Sequence, residues 1–426
     1  MRGRLHHDIL SVGSAKLLSG TVSFLIRIYT VRFLAPAGYG ALSLGLNCLT
    51  LFDALIGTAL DLGTMGLITA AGACEGAQIR PQEKASIRLK LTMAAALLLF
   101  FAVAGEWMGY RFLHGPGGRS FFLVLTAGGA CILVVRSVQL YFQARLRFRV
   151  FAGIDLAHTS LRVLLVGFVL FHGAASAVSI LACFAIAPAV IVTVAFVYGK
   201  LAAGWSQVRA RWPDARDVLR KSGPILASFG VSSIVSRMDV FLLALWSDPV
   251  QLGLYGAALT IATVPEVLGV YLAPVFLPRI LPACRSGHFL GLFRRLHLLI
   301  GLAVGALLVL GLFAARPVLS MVLPAKYSLS IDLVLILIPG TLAAASFFPL
   351  TLNFLMLTRP RSFLIVDSIA APLLAVAYFV FLPANGAVAA AWITCFYRIA
   401  KAAAVQAWAY ALARRTGEPA PATVTP

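Results

Sequence analysis

The sequence predicts an all-α integral membrane protein with about twelve transmembrane helices, in two six-helix bundles related by a parallel pseudo-two-fold repeat. Three observations lead to this fold class. The chain is 61% apolar and 12% charged, whereas soluble domains are roughly 45–50% apolar and 25% charged. Its apolar runs reach the roughly 20 residues that one helix needs to cross a bilayer. The tripeptide Tyr39-Gly40-Ala41 also returns as Tyr255-Gly256-Ala257.

Apolar runs between turn signals and charges define the individual helices. The first six are predicted at 11–33, 42–66, 91–113, 120–141, 152–171 and 177–198. The second six are predicted at 224–246, 253–275, 296–314, 331–356, 362–382 and 386–411. Between the two sets, residues 199–222 contain two tryptophans, a proline and six basic groups, which is the largest shift in composition along the chain. We therefore predict an N-terminal half at 1–198, a cytoplasmic linker at 199–222 and a C-terminal half at 223–426.

The basic residues predict the orientation of these helices. If the N-terminus is cytoplasmic, most Lys and Arg outside the helices fall on the cytoplasmic side, among them Arg80, Lys84, Arg88 and Lys90. The positive-inside rule then places both termini in the cytoplasm. The net charge of +20 is the ordinary result of many short cytoplasmic loops and does not indicate a nucleic-acid partner.

Each Tyr-Gly-Ala copy lies between a helix with a central arginine and a helix with a central carboxylate. These residues are Arg27 and Asp53 around the first copy, and Arg237 and Glu266 around the second. Charges at this depth cost about 2.5–3.5 kcal/mol each on insertion scales, so they are expected to face protein or water. The basic residues inside predicted helices are Lys16, Arg27, Arg136, Arg162, Arg237, Arg398 and Lys401, and the acidic ones are Asp53, Asp61, Asp155, Asp239, Glu266 and Asp367.

Several of these charges lie on polar stripes at helical spacing, which is typical of cavity walls. The stripes are Thr50, Asp53, Gly57, Asp61 and Thr64; Asp155, His158 and Arg162; and Arg136, Gln139 and Gln143. Two alternatives stay open. The charges can pair with one another as structural contacts, and Lys16, Arg27 and Lys401 can extend toward a membrane surface. For His158, an interior histidine with satisfied hydrogen bonds is the favoured interpretation.

Short segments of the chain resemble bacterial polysaccharide flippases. Arg32–Gly40 resembles their first periplasmic turn, and Asp61–Gly63 the end of their second helix. Met238–Leu243 with Leu252–Ala258 is similar to their seventh-to-eighth helix signature, and Pro317–Ser330 to the outer loop before the tenth helix. These motifs are shared with the wider multidrug and oligosaccharide exporter superfamily, so the resemblance implies a MATE-like arrangement of the two bundles.

The resemblance implies that the protein flips an undecaprenyl-pyrophosphate-linked oligosaccharide across the bacterial inner membrane by alternating access, for polysaccharide or lipopolysaccharide synthesis. The cargo's pyrophosphate and acidic sugars would meet a cationic lumen formed by Arg27, Arg136, Arg162, Arg237 and Arg398. The acidic residues Asp53, Asp61, Asp155, Asp239, Glu266 and Asp367 would balance charge or bind a coupling ion. The expected partners are the lipid-linked oligosaccharide, membrane lipids and other polysaccharide assembly proteins.

We expect no enzymatic activity, metal or cofactor, and the sequence leaves open whether a proton or a sodium gradient drives transport. A MATE-like exporter of small molecules is the alternative, although cationic drugs would favour a more acidic cavity. A membrane-embedded glycan polymerase or ligase is a further alternative. Such an enzyme would need a substantial outer loop with catalytic groups, whereas the longest predicted outer loop, about 315–330, has only Arg316 and Lys326 as charges.

Overall fold

The computed structural model describes residues 2–70, 80–145, 147–198, 211–267, 289–347, 351, 355 and 361–417. Within these ranges the chain is helical and contains no strand. The helices up to residue 198 are α1 (Arg2–Phe33), α2 (Pro36–Phe52), a π-helical segment (Asp53–Thr58), α3 (Ala59–Ala70), α4 (Pro81–Phe112), α5 (Gly118–Ala144), α6 (Phe148–Phe171) and α7 (Ala177–Tyr198). The later helices are α8 (Trp212–Val235), α9 (Met238–Trp246), α10 (Pro249–Ala262), α11 (Phe289–Val322), α12 (Ser328–Phe347) and α13 (Arg361–Gly417), with a short 3-10 turn at Ala325–Tyr327.

The described helices are long and apolar enough to cross a membrane many times. Eight pass that test by length and composition, and a ninth is added if the bent pair α8–α9 is one span. The predicted all-α, multi-pass membrane fold is confirmed. The predicted helix at 253–275 runs into residues 268–288, which lie outside the described part of the chain.

Local sequence signals explain where several helices begin. Pro36 opens α2 and Pro81 opens α4, where a missing N–H costs nothing because the first helical N–H groups have no partner within the helix. Glu83 of α4 accepts the N–H of Arg80 at 2.8 Å, and Asp214 of α8 accepts the N–H of Arg211 at the same distance. A carboxylate in the first turn also complements the positive end of the helix dipole.

The second predicted helix contains a π-helical segment that the sequence did not predict. It spans Asp53–Thr58 and joins α2 to α3 within one span, Pro36–Ile68. Gly57 lies inside it, and a β-carbon at that position would come within 2.7 Å of the Asp53 Oδ1 atom. The glycine therefore leaves room for the Asp53 carboxylate, and π-helical turns are often found at functional sites.

Two breaks separate helical segments late in the chain. The predicted helix at 224–246 is instead two helices, α8 and α9, bent by 49° at Ser236 and Arg237. α8 begins at Trp212, inside the predicted linker, and residues 199–210 of that linker lie outside the described residues. In α13, Gly386 has φ 50° and ψ −129° and separates two helical stretches, in agreement with the two helices predicted there. Only glycine adopts this backbone conformation readily.

The chain divides into two compact units, Met1–Gly253 and Leu254–Pro426. In unit 1, a buried apolar cluster of Ile56, Leu60, Ala94, Leu133 and Val218 joins the π-helical segment to α3, α4, α5 and α8. In unit 2, the hydroxyls of Tyr255 and Tyr378 each lie 3.0 Å from the Thr394 hydroxyl. The division into two halves, 1–198 and 223–426, with a linker at 199–222 was predicted from the sequence, and it stays a prediction.

Within unit 1, the start of α2 and the start of α10 are in direct backbone contact. A β-carbon on Gly40 would lie 2.6 Å from the Pro249 carbonyl oxygen, and one on Gly253 would lie 1.7 Å from the Pro36 carbonyl oxygen. The Pro36 carbonyl of α2 thus faces Gly253 of α10, and the Pro249 carbonyl of α10 faces Gly40 of α2. We call this set of residues the glycine contact.

Candidate functional site

The first charged pair in unit 1 joins the π-helical segment to α5. Arg136 donates to Asp53 through Nε at 3.1 Å and Nη2 at 2.8 Å. This two-bond geometry is the strong form of an arginine–carboxylate pair. The Arg136 side chain is nevertheless 41% exposed and Asp53 is 18% exposed, so the pair borders an accessible space.

The second pair joins α3 to α4 and includes a lysine that the sequence prediction placed in a cytoplasmic segment. Lys90 is 1% exposed, contacts Asp61 at 2.5 Å and donates to the Ser137 hydroxyl at 2.8 Å. The loop prediction for Lys90 is wrong because α4 begins at Pro81, a full ten residues before the predicted 91–113. The sequence does show that Glu83 and Lys90 are seven residues apart and therefore share one helical face with Ala94. The structure buries this face.

Another buried pair at the same ends of α4 and α5 was also missed from the sequence. Arg145 donates to Glu83 through Nη1 at 2.8 Å and Nη2 at 3.1 Å. Its guanidinium carbon lies 3.7 Å from the centre of the Tyr141 ring. Both charges are nearly buried, so this contact holds α4 to α5 and leaves little surface for a ligand.

Asp155 of α6 is bonded to neutral side chains. The Ser19 hydroxyl donates to its Oδ2 at 2.9 Å and the Gln139 amide lies 3.4 Å from its Oδ1. Lys16 of α1 is close enough for its charge to interact with Asp155, and its ammonium also lies 5.2 Å from the centre of the Phe151 ring. Asp155, one of the six predicted acidic residues, therefore contacts the neutral side chains of Ser19 and Gln139, and the cation Lys16 lies nearby.

Arg27 of α1 lies near two basic residues of α6, His158 and Arg162, and we call these three residues the basic cluster. Arg162 donates to the Ser23 hydroxyl and lies over the Phe184 ring, 4.7 Å from its centre. Arg27, one turn beyond Ser23, is close enough for its charge to interact with that of Arg162. The Arg162 Nε and His158 Nε2 atoms are buried and have no hydrogen-bond partner among the described residues. The expectation of a fully satisfied His158 is therefore wrong.

Arg237 lies in the break between α8 and α9. Its guanidinium donates to the Asn47 side-chain oxygen of α2, and the Asn47 amide nitrogen donates to the Ser43 carbonyl at 2.9 Å. Asp239 is 2% exposed and accepts the Val240 N–H at 2.8 Å, in the first turn of α9. The Asp239 carboxylate therefore accepts a backbone N–H at the start of its own helix.

In unit 2, two predicted carboxylates are bonded to predicted cations. Arg398 donates to Glu266 at 2.7 Å. Asp367 is fully buried and accepts from Lys401 at 2.7 Å and from the Tyr397 hydroxyl at 2.9 Å. Lys401 therefore turns inward to Asp367, and the interpretation that it extends toward the membrane surface is wrong.

The structure separates the predicted stripe residues into two groups. Asp53, Asp61, Gln139 and Asp155 make contacts between helices, as cavity-wall residues would. The hydroxyls of Thr50 and Thr64 instead bond carbonyls of their own helix, at Leu46 and Leu60. Of the five predicted lumenal arginines, Arg136 and Arg398 contact carboxylates, while Arg162 and Arg237 contact neutral oxygens.

Comparison with known proteins decides the family. The family model described as "Polysaccharide biosynthesis protein" matches residues 5–282, which is more than half of the chain. The chain belongs to this family. Among curated proteins, none has a significant match to the sequence.

Solved structures show the fold of this family member. Lipid II flippase MurJ in an inward closed conformation is similar at a TM-score of 0.76 and 12% identity, over 92% of this chain and 86% of that one. An inward-facing multidrug resistance MATE transporter of the MOP superfamily is similar at 0.71 and 14% identity, over 97% and 100%. The Vibrio cholerae MATE transporter VcmN in its bent form is similar at 0.58 and 14%, over 97% of each chain. The predicted MATE-like fold is confirmed, and the family match agrees with the predicted relation to polysaccharide biosynthesis.

Proposed function

We propose that this polysaccharide biosynthesis protein flips a lipid-linked oligosaccharide of the undecaprenyl-pyrophosphate type, in the bacterial inner membrane and by alternating access. Both termini face the cytoplasm, and the cargo is loaded from the inner leaflet. The family match and the MATE-like fold support transport of a polysaccharide precursor. The basic composition of the chain suits an anionic cargo.

The observation that carries this proposal is the basic cluster of Arg27, His158 and Arg162. Arg27 repels the charge of Arg162 while Asp155 attracts it, and an additional anion beside the two arginines would reduce their repulsion further. The Nε–H of Arg162 is buried without an acceptor among the residues that the structure describes, and a buried donor without an acceptor is costly in a protein interior. A pyrophosphate group supplies negative charge and several oxygen acceptors at once, and arginine binds phosphate through two parallel N–H bonds. The basic cluster thus has the charge and the donors to hold the head of a lipid diphosphate.

Replacement of the two arginines of the basic cluster is expected to block export of the glycan. In a deletion strain complemented with Arg162→Ala or Arg27→Ala, lipid-linked oligosaccharide should accumulate in the inner leaflet, and surface polysaccharide should fall roughly tenfold or more, since a hydrogen bond to a charged group contributes about 1.5–3 kcal/mol. The measurement is surface glycan per unit of membrane-embedded protein. Arg316→Ala is the matched control, because Arg316 forms an exposed ion pair with Asp332. Normal export by both Arg162→Ala and Arg27→Ala would refute the proposal.

We also propose that Asp155 is the carboxylate that couples transport to a proton or sodium gradient. Asp53, Asp61, Glu266 and Asp367 have a basic partner within 3 Å, and Asp239 bonds its own helix. A carboxylate held by neutral donors can exchange a cation without breaking an ion pair. It also lies on the same face of α6 as Arg162, so ion and cargo sites are adjacent.

Asp155→Asn is expected to retain cargo binding and lose the dependence of export on the ion gradient. Transport would be measured in proteoliposomes with and without an imposed proton or sodium gradient. Asp332→Asn, which changes an exposed ion pair, should respond to the gradient like the wild type. A full gradient response in Asp155→Asn would exclude this residue from coupling.

Export of small molecules is the second candidate function, because Asp155 also offers a carboxylate that a cationic compound can bind. Efflux of a cationic dye separates the two functions. If the protein is a flippase, its expression changes glycan export and leaves dye accumulation unchanged.

A further inference from the structure

The ion pair of Asp53 with Arg136 has hydrogen-bonding capacity beyond its own two bonds. A guanidinium has five N–H donors, and Arg136 uses two of them on Asp53. Within the described part of the chain, its other donors have no acceptor. Each Asp53 oxygen accepts one bond and has room for a second. The pair therefore presents unused donors and acceptors side by side.

These unused groups face an open space. The Arg136 side chain is 41% exposed, although it lies within an apolar span, about 12 Å along the helix from Ala144 at the end of α5. A charged side chain at this depth is costly against lipid, so its exposed part faces water. Gly57 leaves room for the Asp53 carboxylate, since a β-carbon there would lie 2.7 Å from the Asp53 Oδ1 atom. The pair thus lies at the wall of a hydrated space in unit 1.

The pair carries no net charge, which distinguishes it from the basic cluster. The guanidinium and the carboxylate neutralise each other, and the neighbouring pair of Lys90 with Asp61 is neutral as well. An anion at this position would meet the negative charge of Asp53 beside a guanidinium that is already neutralised. A hydroxyl group is both donor and acceptor. Two adjacent hydroxyls of a sugar can therefore accept from Arg136 and donate to Asp53 at once.

His158 connects this neutral pair to the basic cluster. Its ring is close enough to both Arg162 and Arg136 for the charges of the two arginines to act on it. The proposed diphosphate site and the neutral pair are therefore neighbouring positions in unit 1. In a lipid-linked oligosaccharide, the first sugar is bonded directly to the diphosphate. A diphosphate held by the basic cluster thus brings the first sugar next to Asp53 and Arg136.

We propose that Asp53 and Arg136 form a saccharide subsite that binds adjacent hydroxyls of the first sugar of the cargo, and that this sugar is uncharged. The sequence prediction placed Arg136 among the cations for an anionic cargo, whereas its pairing with Asp53 suits a neutral polyol. The inference rests on the proposed function, because the bound diphosphate determines which sugar reaches the subsite. Asp53 and Arg136 then determine which first sugar is accepted.

Binding of short-chain cargo analogues tests the subsite. The full chain in phosphatidylcholine nanodiscs is titrated with farnesyl diphosphate and with derivatives that carry one glucose, one galactose or one glucuronic acid on the diphosphate. In the wild type, the better of the two neutral sugars should lower the Kd roughly tenfold relative to farnesyl diphosphate, the effect of about two added hydrogen bonds. Glucuronic acid should lower it less, because its carboxylate meets Asp53.

Two substitutions separate hydrogen bonding from charge at the subsite. Asp53→Asn should lose the gain from the neutral sugar and should favour glucuronic acid, because Arg136 then has no carboxylate beside it. Arg136→Lys keeps the charge balance and removes the planar donors, so it should lose the gain without favouring glucuronic acid. Both variants should still bind farnesyl diphosphate, which shows that they are folded. Asp332→Asn, the same change in an exposed ion pair, should keep the wild-type preference.

The outcomes distinguish this inference from the proposed function. Equal Kd values for farnesyl diphosphate and both neutral derivatives in the wild type would overturn the subsite and leave the proposed function standing. A neutral-sugar gain that survives in both Asp53→Asn and Arg136→Lys would also overturn the subsite. Arg162→Ala should weaken the binding of all four compounds, because it removes a diphosphate contact. A wild type that binds none of the four would refute the proposed function, and the subsite with it.

Discussion

Lys90→Met is expected to destabilise the protein by about 3–5 kcal/mol, because it leaves the Asp61 carboxylate without its partner inside unit 1. Lys90 is 1% exposed and Asp61 16% exposed. Little water can therefore reach the Asp61 carboxylate and solvate its charge once the Lys90 ammonium is gone. The double variant Lys90→Met with Asp61→Asn should recover most of the loss, since neither charge is then buried. The free energy of unfolding in mixed detergent micelles measures all three proteins.

The exposed ion pair of Arg316 with Asp332 is the internal control for this experiment. These side chains are 70% and 50% exposed, and such pairs contribute about 0–1 kcal/mol. Arg316→Ala should therefore leave the free energy of unfolding nearly unchanged. If Lys90→Met were as mild as Arg316→Ala, the contact between Lys90 and Asp61 would not stabilise the fold.

Gly253→Ala is the substitution expected to do most damage among the helical glycines of unit 1. Its β-carbon would lie 1.7 Å from the Pro36 carbonyl oxygen, so α2 and α10 must move apart. Forcing an atom into a packed contact typically costs about 1–3 kcal/mol, and two backbone segments cannot adapt as a side chain does. We expect a lower free energy of unfolding and faster hydrogen exchange at the start of α2.

Gly305→Ala, the same change from glycine to alanine, is expected to raise the free energy of unfolding. Gly305 lies within α11, and a β-carbon there meets no atom within 4 Å. Alanine in place of glycine in a helix stabilises it by up to about 1 kcal/mol. A Gly253→Ala protein as stable as Gly305→Ala would show that the glycine contact is not closely packed.

Helix positions were predictable from the sequence where the signal is local. The sixth predicted helix, 177–198, matches α7, whose start is marked by reciprocal bonds between Ser176 and Ser179 at 2.9 and 3.0 Å. Such capping by serine depends on residues three apart and can be seen in the sequence. The two stretches of α13 were likewise separable because Gly386 lies between two apolar runs.

The break at Ser236 and Arg237 was not predictable by the same means. Prolines mark kinks in sequence, yet Pro188 and Pro224 lie within helices and the break between α8 and α9 has no proline. Contacts with α2 hold the bend at Arg237, and those contacts come from a segment 190 residues earlier. Local propensity carries no information about them.

The candidate charges were predictable as a set, and their partners were not. Composition and depth identified Asp53, Asp155 and Arg162 as interior residues that need protein or water around them. Which cation meets which carboxylate depends on the rotation and packing of whole helices. The π-helical segment at Asp53–Thr58 changes that rotation between Asp53 and Asp61, and nothing in the apolar pattern indicates it.

The boundary at Gly253 has a consequence for biosynthesis. Unit 1 is one uninterrupted stretch of chain, and it includes both members of the contacts of Lys90 with Asp61, Arg237 with Asn47 and Gly253 with Pro36. At about 5–20 residues per second, the ribosome needs roughly ten seconds or longer to make unit 2. The ion pairs of unit 1 can therefore form in the membrane during that interval. Their charged residues are then already paired before the ribosome has completed unit 2.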